Sequence, residues 1–275
     1  MPDIPAGPAS HTAAEPASAG LPAPAFAAPA ATTIVIPCYN EAARFPVARF
    51  RQFAAAHPEI HFLLVDDGST DGTAAMLEEA RRGLEDQVRV RHQPQNGGKG
   101  EAVRAGILQA LASAPRAVGF WDADFATPLE SIAPLRAILD ERPEVDMVFG
   151  ARVKLLGRQI ERRALRHYLG RIFATVVSNL LKLPIYDTQC GAKIFRVTPL
   201  TARLFDRPFS SRWVFDVEII ARYLVARQRD YESVQRAIYE FPLTEWRDIA
   251  GSKVRPRDFL RALLDVLRIY GIYLR

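Results

Sequence analysis

Residues 61–73 read "HFLLVDDGSTDGT". An apolar run breaks directly into two acids, a glycine and a cluster of short polar residues. A continuous apolar run of this length is a strand buried on both faces, and the Asp/Gly/Ser/Thr chemistry after it turns the chain and caps a helix. The stretch predicts a strand from His61 to Val65, and a helix opened by Thr70 or Asp71 that runs to about Leu84.

The same grammar repeats on either side. "TTIVIPCYNE" (32–41) is a β-branched strand, Thr32 to Ile36, stopped by Pro37, with helical character after Asn40 to about His57. "VRVRH" (88–92) is a third strand, followed by the loop "QPQNGGKGE" and a helix from about Glu101 to Ser113. "AVGFWDAD" (117–124) is a fourth, followed by a helix that Pro128 opens and that runs through Leu139, and "VDMVFGAR" (145–152) is a fifth. Strands alternating with helices at this spacing predict an α/β fold, a Rossmann-like, mostly parallel central sheet flanked by helices.

The second half is more helical. It holds an amphipathic segment over 158–183, a turn into a strand at "YDTQCGAKIF" (186–195), a helix at "WVFDVEIIARYLVAR" (213–227) and a strand at "IYEFPLTEW" (238–246). Residues 1–31 are Ala/Pro-rich and carry only Asp3 and Glu15 as charges, so they predict a disordered tail rather than a signal peptide. The domain spans 32–256, and 257–275 form a C-terminal amphipathic helix.

Net charge is +5, and the chain beyond the tail carries +7. The excess gathers between Arg152 and Lys182, where eight Lys and Arg face Glu161 alone. Such a cluster favours an anionic partner: nucleic acid, an anionic membrane surface or a phosphate-bearing substrate. Two cysteines exclude a disulfide framework and a Cys-rich zinc site. No apolar run reaches the roughly 18–20 residues of a spanning helix. His57, His61, His92 and His167 lack ligand spacing.

Ligands of parallel sheets bind beyond the carboxyl ends of the strands. Tyr39 to Glu41, Asp66 to Ser69, Gly97 to Gly100, Asp122 to Asp124 and Arg152 all fall there. Each alone is also ordinary turn chemistry, but five placements on one rim are not explained by turns. Asp122 and Asp124 are two apart, so in an extended chain both project to one side and suit a hard divalent cation. Lys99, among glycines, can approach a phosphate. Neither GxGxxG nor GxxxxGK[ST] is present, which argues against dinucleotide and P-loop chemistry.

"VIPCYNE", "VDDGSTDGT", "NGGKGEAVRAG" and "DAD", in this order, resemble the family 2 glycosyltransferases of the GT-A fold. "DTQCGAKIF" (187–195), "RWVFDVEII" (212–220) and "EWRDIAGSKV" (245–254) are similar to the dolichyl-phosphate β-glucosyltransferase branch, near the polyprenyl-phosphate mannosyl transferases. The resemblance implies an inverting hexosyltransferase with Mg²⁺ or Mn²⁺ as cofactor. UDP-glucose is its favoured donor and a polyprenyl or dolichyl monophosphate its acceptor. It further implies a cytoplasmic protein, peripheral on an anionic membrane face, with no nucleic-acid partner.

Carried to this chain, the resemblance gives Pro37, Tyr39, Glu41, Asp66 and Asp67 to the uracil and ribose pocket. Lys99 and Gly100 would lie over the nucleotide, Asp122 and Ala123 would contact it, and Asp122 and Asp124 would bind the metal. Arg152 with Arg163, Arg166 or Arg171 would meet the acceptor phosphate. Arg247 and Lys253 would sit on a closing loop. Asp187 would lie beside the sugar, with Trp213, Asp216 and Glu218 on the acceptor side. Ala126 departs from the mannosyl branch, which often has Gln there. A lipid monophosphate, with a second pKa near ~6, is already a nucleophilic oxyanion at neutral pH. None of Asp187, Asp216 and Glu218 is then an obligatory base. A soluble transferase acting on a hydroxyl, and a non-catalytic nucleotide-sugar or nucleic-acid binder, are the alternatives.

Overall fold

The alternation of strand and helix holds from the first element. The structure, a computed structural model, describes residues 25–26, 31–161, 164–249 and 256–275. Strands β1 (Thr32–Cys38), β2 (Ile60–Asp66), β3 (Val88–His92), β4 (Ala117–Trp121) and β5 (Met147–Ala151) alternate with α1 (Val47–Ala56), α2 (Thr73–Arg81), α3 (Lys99–Leu111) and α4 (Ile132–Glu141). The second half adds β6 (Gln159–Glu161), α5 (Ala164–Leu181), β7 (Ala192–Arg196), α6 (Pro199–Phe205) and α7 (Phe215–Ala226). It closes with α8 (Tyr231–Ala237), β8 (Ile238–Pro242), β9 (Glu245–Arg247) and α9 (Pro256–Tyr273).

The main sheet runs β3-β2-β1-β4-β7-β5-β8. Its neighbours are parallel except β4–β7 and β5–β7, so a single inverted strand sits inside a parallel sheet. Alternation along each strand sorts the core into two layers. Val35, Leu63, Val65, Val118 and Phe120 pack with α3, α5, α7 and α9. Ile34, Ile36, Phe62, Leu64 and Trp121 pack with α1, α2 and α4. Each such fully buried side chain contributes roughly 1.5–3 kcal/mol.

β1 pairs with β2 as far as Cys38↔Asp66, but with β4 only as far as Val35↔Phe120. Beyond that point the two strands part. The chain leaves β1 toward β2 on one side while β4 lies on the other, and a crevice opens at this switch point. Of the rim residues named from the sequence, Tyr39, Glu41, Asp67, Gly98, Lys99, Asp122, Asp124 and Arg152 line it.

Four details differ from the sequence reading. Pro37 continues β1 rather than stopping it, because β4 no longer pairs there and the missing N–H interrupts no β1–β4 ladder. α1 waits until Val47, since Arg44 and Phe45 first donate to the Glu41 carbonyl in a turn. β4 ends at Trp121, so Asp122 and Asp124 lie in a turn and not in a strand. "IYEFPLTEW" divides around buried Leu243 into β8 and β9, and β9 pairs with β6 in a separate parallel ribbon.

Composition assigned Phe26 to the tail, yet its buried ring rests 4.4 Å from the His61 ring. Its N–H donates to Ser113 Oγ (3.0 Å), and Arg89 Nε donates to the Ala25 carbonyl (3.1 Å). α9 is equally integral. Val266 and Ile269 are buried in the same core layer as α7, and Ser211 Oγ donates to Asp265 Oδ2 (2.6 Å). Among the described residues no helix is long and apolar enough to cross a membrane.

Candidate active site

The crevice between β1 and β4 is a cavity of about 550 Å³. Its walls include Pro37, Tyr39 and Glu41 from the end of β1, Lys99 from α3, and Asp122, Ala123 and Asp124 after β4. Arg152, Arg171, Asp187, Trp213 and Asp216 complete the far side. Residues as far apart in sequence as Pro37 and Asp216 are thus gathered by the sheet and by the helices packed on it.

Asp122 is held rigidly. Its N–H donates to the Gly191 carbonyl (3.0 Å), and its carboxylate lies against the Gly191 Cα so closely that a Cβ there would overlap it. Lys99 Nζ stands 2.5 Å from Asp122 Oδ1. Burial pushes the Asp122 carboxyl up, but Lys99, backed by Lys193 and Arg152, outweighs it and the pKa falls. Asp124 behaves oppositely: burial and then the Asp122 charge hold its pKa up. Arg44 Nη2 lies 3.4 Å from Asp124 Oδ2 and Arg44 Nε 3.0 Å from Glu41 Oε2, while the Ala126 N–H donates to Asp124 Oδ1 (3.1 Å).

The turn that presents the two acids is wound around Phe125, whose φ of 49° is left-handed and uncommon for a non-glycine. The Phe125 ring is locked between Phe45 (5.3 Å) and Phe50 (6.3 Å), and Trp121 Nε1 donates to the Thr127 carbonyl (2.9 Å). The β6–β9 ribbon clamps the turn from outside, through Arg247 N–H to the Ala126 carbonyl (3.1 Å).

The loop before α3 is anchored from both sides. Asp67 accepts from Asn96 Nδ2 (3.0 Å), Gly97 N (2.8 Å) and Gly98 N (2.8 Å). Arg212 Nε donates to the Gly97 carbonyl (3.1 Å) and its Nη2 to the Asn96 carbonyl (3.0 Å). Gly98, at φ 91°, is the residue that permits this path. Asp67 touches the cavity, but its carboxylate is spent on the loop. Asp66 does not line the cavity: it accepts from Ser69 N (3.0 Å) and pairs with His92 Nδ1 (3.1 Å). Gly100 is buried under Phe215.

On the far wall Arg152 grips Asp187 with two bonds, Nε–Oδ2 and Nη2–Oδ1, both 2.7 Å. Glu240 fixes that corner by accepting from the Tyr186 and Asp187 N–H groups, each at 2.7 Å. Arg171 lies 3.7 Å over the Tyr186 ring and donates to the Tyr186 carbonyl (3.2 Å). Asp216 Oδ1 meets Lys193 Nζ at 2.6 Å. Lys193 is 0 % exposed and sits between the Phe120 and Phe149 rings, at 5.4 and 5.2 Å.

Glu218 is not at the cavity. It is fully buried, accepts from Ser210, Arg222 and Tyr273, and ties α7 to α9. Arg247 lines a smaller neighbouring cavity of about 270 Å³ with Arg44 and Arg49. Arg163, Lys253 and the Arg166 side chain lie outside the described residues. Sequence reasoning missed Arg44, Lys193 and Arg212. Lys193 alone left a signal, as a cation set among the apolar residues Ala192, Ile194 and Phe195.

The donor set suits a hard divalent ion. Among the described residues no group of three or more His, Cys, Asp and Glu is arranged to hold a metal ion. Asp122 and Asp124 could therefore supply two carboxylates, with water and substrate phosphates completing the shell, as Mg²⁺ and Mn²⁺ accept.

Comparisons with known proteins bear on the family and the fold. A family model described as "Glycosyl transferase family 2" matches residues 33–203. The dolichyl-phosphate beta-glucosyltransferase of Drosophila melanogaster is 32% identical over 258 residues, covering 88% of this chain and 75% of that protein. The polyprenol monophosphomannose synthase of Mycolicibacterium smegmatis is 32% identical over 236 residues, covering 86% and 85%. Glucosyl-3-phosphoglycerate synthase from Mycobacterium tuberculosis, solved with Mn²⁺, UDP and glucosyl-3-phosphoglycerate, shares the fold. Its TM-score is 0.62 at 17% identity, covering 88% of this chain and 80% of that one.

Proposed function

We propose, from the premise that this chain belongs to glycosyl transferase family 2 and is a glycosyltransferase, that it moves glucose from UDP-glucose to a polyprenyl or dolichyl monophosphate at a membrane surface. One observation carries the reading: the cavity joins the Asp122/Asp124 pair to Arg171 and to an apolar wall of Phe173, Ala174 and Ile249. That is a diphosphate end, a phosphate end and a lipid-compatible side in one space.

A divalent ion held by Asp122 and Asp124 would neutralise the charge that builds on the leaving diphosphate. The chain's own residues do the rest. Tyr39 and Pro37 line the nucleoside end of the cavity. Arg171 donates only to the Tyr186 carbonyl among the described residues, so most of its donor fork remains for an acceptor phosphate. Arg152 holds Asp187 in place beside it. Asp187 and Asp216 are each engaged by a cation, which favours orienting roles over proton abstraction. A phosphate acceptor needs no base.

Membrane contact is supported by apolar side chains exposed close in sequence to the cavity-lining Arg152, Arg171 and Ala262. Leu155, fully exposed Leu156, Tyr168 and Ile172 stand out beside Lys154, and α9 exposes Leu264 and Leu267. Exposed apolar groups next to cations suit an anionic interface. The test is a donor panel with polyprenyl phosphate and Mg²⁺ or Mn²⁺, reading released nucleotide and the mass of the lipid product. Glucosyl phospholipid from UDP-glucose is expected. Nucleotide release that needs a hydroxyl acceptor instead would overturn the lipid reading.

A further inference from the structure

Lys99 and Asp122 form an ion pair where the metal is expected. We propose that Lys99 is a built-in counter-ion that guards Asp122 against a divalent cation arriving alone, and yields it only when a nucleoside diphosphate gives Lys99 a new partner. The inference rests on the donor reading above.

The geometry is asymmetric in a telling way. Asp122 cannot follow a moving partner, because its backbone is tied to Gly191 and its carboxylate is packed on the Gly191 Cα. The Lys99 backbone is equally fixed, since Asp67 and Arg212 anchor the loop before it and Gly100 N–H donates to the Arg212 carbonyl (3.3 Å). Only the four-carbon stem of Lys99 is left to swing.

Among the described residues, Asp122 is the sole carboxylate at bonding distance of Lys99 Nζ. Arg44, facing Asp124 at 3.4 Å, keeps Glu41 at 3.0 Å if that contact is given up. Lys99 has no such reserve. Displacing it would leave a partly buried ammonium, 29% exposed, beside the Phe215 ring 5.9 Å away, with only the longer-range pull of Asp216 and Asp124, which is costly without a new anion. A diphosphate is that anion. Metal and nucleotide are thereby coupled through one side chain, beyond their direct contact with each other.

The experiment is Mn²⁺ titration, followed by electron paramagnetic resonance, of the full chain and its Lys99→Met and Lys99→Arg variants, without and with UDP. Lys99→Met is expected to bind Mn²⁺ alone at least about tenfold more tightly than the native chain, because a fixed cation beside the ion has been removed. UDP should then raise its Mn²⁺ affinity less than it raises the native chain's. Lys99→Arg should behave as native. Mn²⁺ affinity in Lys99→Met equal to or below native, with near-UV circular dichroism unchanged, overturns the proposal, as does a tightening shared by Lys99→Arg. Lys99→Gln replaces the Met variant if that one loses its native spectrum. A native chain that binds no UDP at any Mn²⁺ concentration would sink the donor reading instead, and the Mn²⁺-only comparison would still decide the role of Lys99.

Discussion

At the scale of single residues, position in the turn after β4 matters more than the DxD string itself. Gly191 is the clearest case. A methyl group there occupies the space of the Asp122 carboxylate without straining the backbone, so Gly191→Ala should leave the fold intact and displace the acid. We expect activity to fall by at least about 10²-fold, the scale of losing one electrostatic stabiliser, with Mn²⁺–UDP binding weakened in calorimetry. His92 offers a pH signature. Partial burial pulls its pKa down, but hydrogen bonds to Asp66 and Glu78 outweigh this and raise it. A raised folded-state pKa stabilises the fold fully below the unfolded value of about 6.5, and that contribution is lost as pH rises through the higher folded value. His92→Gln should therefore lose more stability to urea at about pH 5.5 than at about pH 9. Equal losses at both pH values would mean that the His92 pairs carry no charge term.

Between elements, buried ion pairs set how α7 meets the sheet. Lys193 on β7 and Asp216 in the first turn of α7 are both almost wholly buried, so removing one leaves an uncompensated charge. Lys193→Met should destabilise the chain by roughly 3–5 kcal/mol in denaturant unfolding, and adding Asp216→Asn should recover a large part of it. Purely additive losses would show that the two groups are not coupled. The same helix explains why Glu218 was misplaced from sequence. Asp216 and Glu218 are two residues apart, about 200° around a helix, so they cannot share a face. One reaches the cavity, and the other turns inward to Arg222 and Tyr273. In "DAD" the extended-strand reasoning failed for a related reason. The strand ends first, and the left-handed turn at Phe125 brings both acids to one cavity by another route.

For the whole molecule, the proposed membrane contact turns on the exposed apolar side chains Leu155, Leu156, Tyr168, Ile172, Leu264 and Leu267. Replacing Leu155 and Leu156 with Ser should reduce co-sedimentation with anionic vesicles several-fold while leaving UDP binding unchanged, with residual binding lost as salt rises. Unchanged sedimentation would move the docking surface elsewhere. Much of this architecture was legible from the chain alone. Uninterrupted apolar runs cannot face water on either side, so the βα alternation and the parallel core followed from hydrophobic pattern. The strand-end rule then placed Tyr39, Lys99, Asp122 and Arg152 on one rim. What pattern could not contain was partnership. The inversion of β7, the pairing of β6 with β9, the spending of Asp66 on His92 and of Asp67 on the loop before α3, and the Lys193–Asp216 contact all join residues far apart in sequence. Local pattern reports which face a residue presents, whereas a charge is assigned only when the fold brings its counter-charge within a few ångströms.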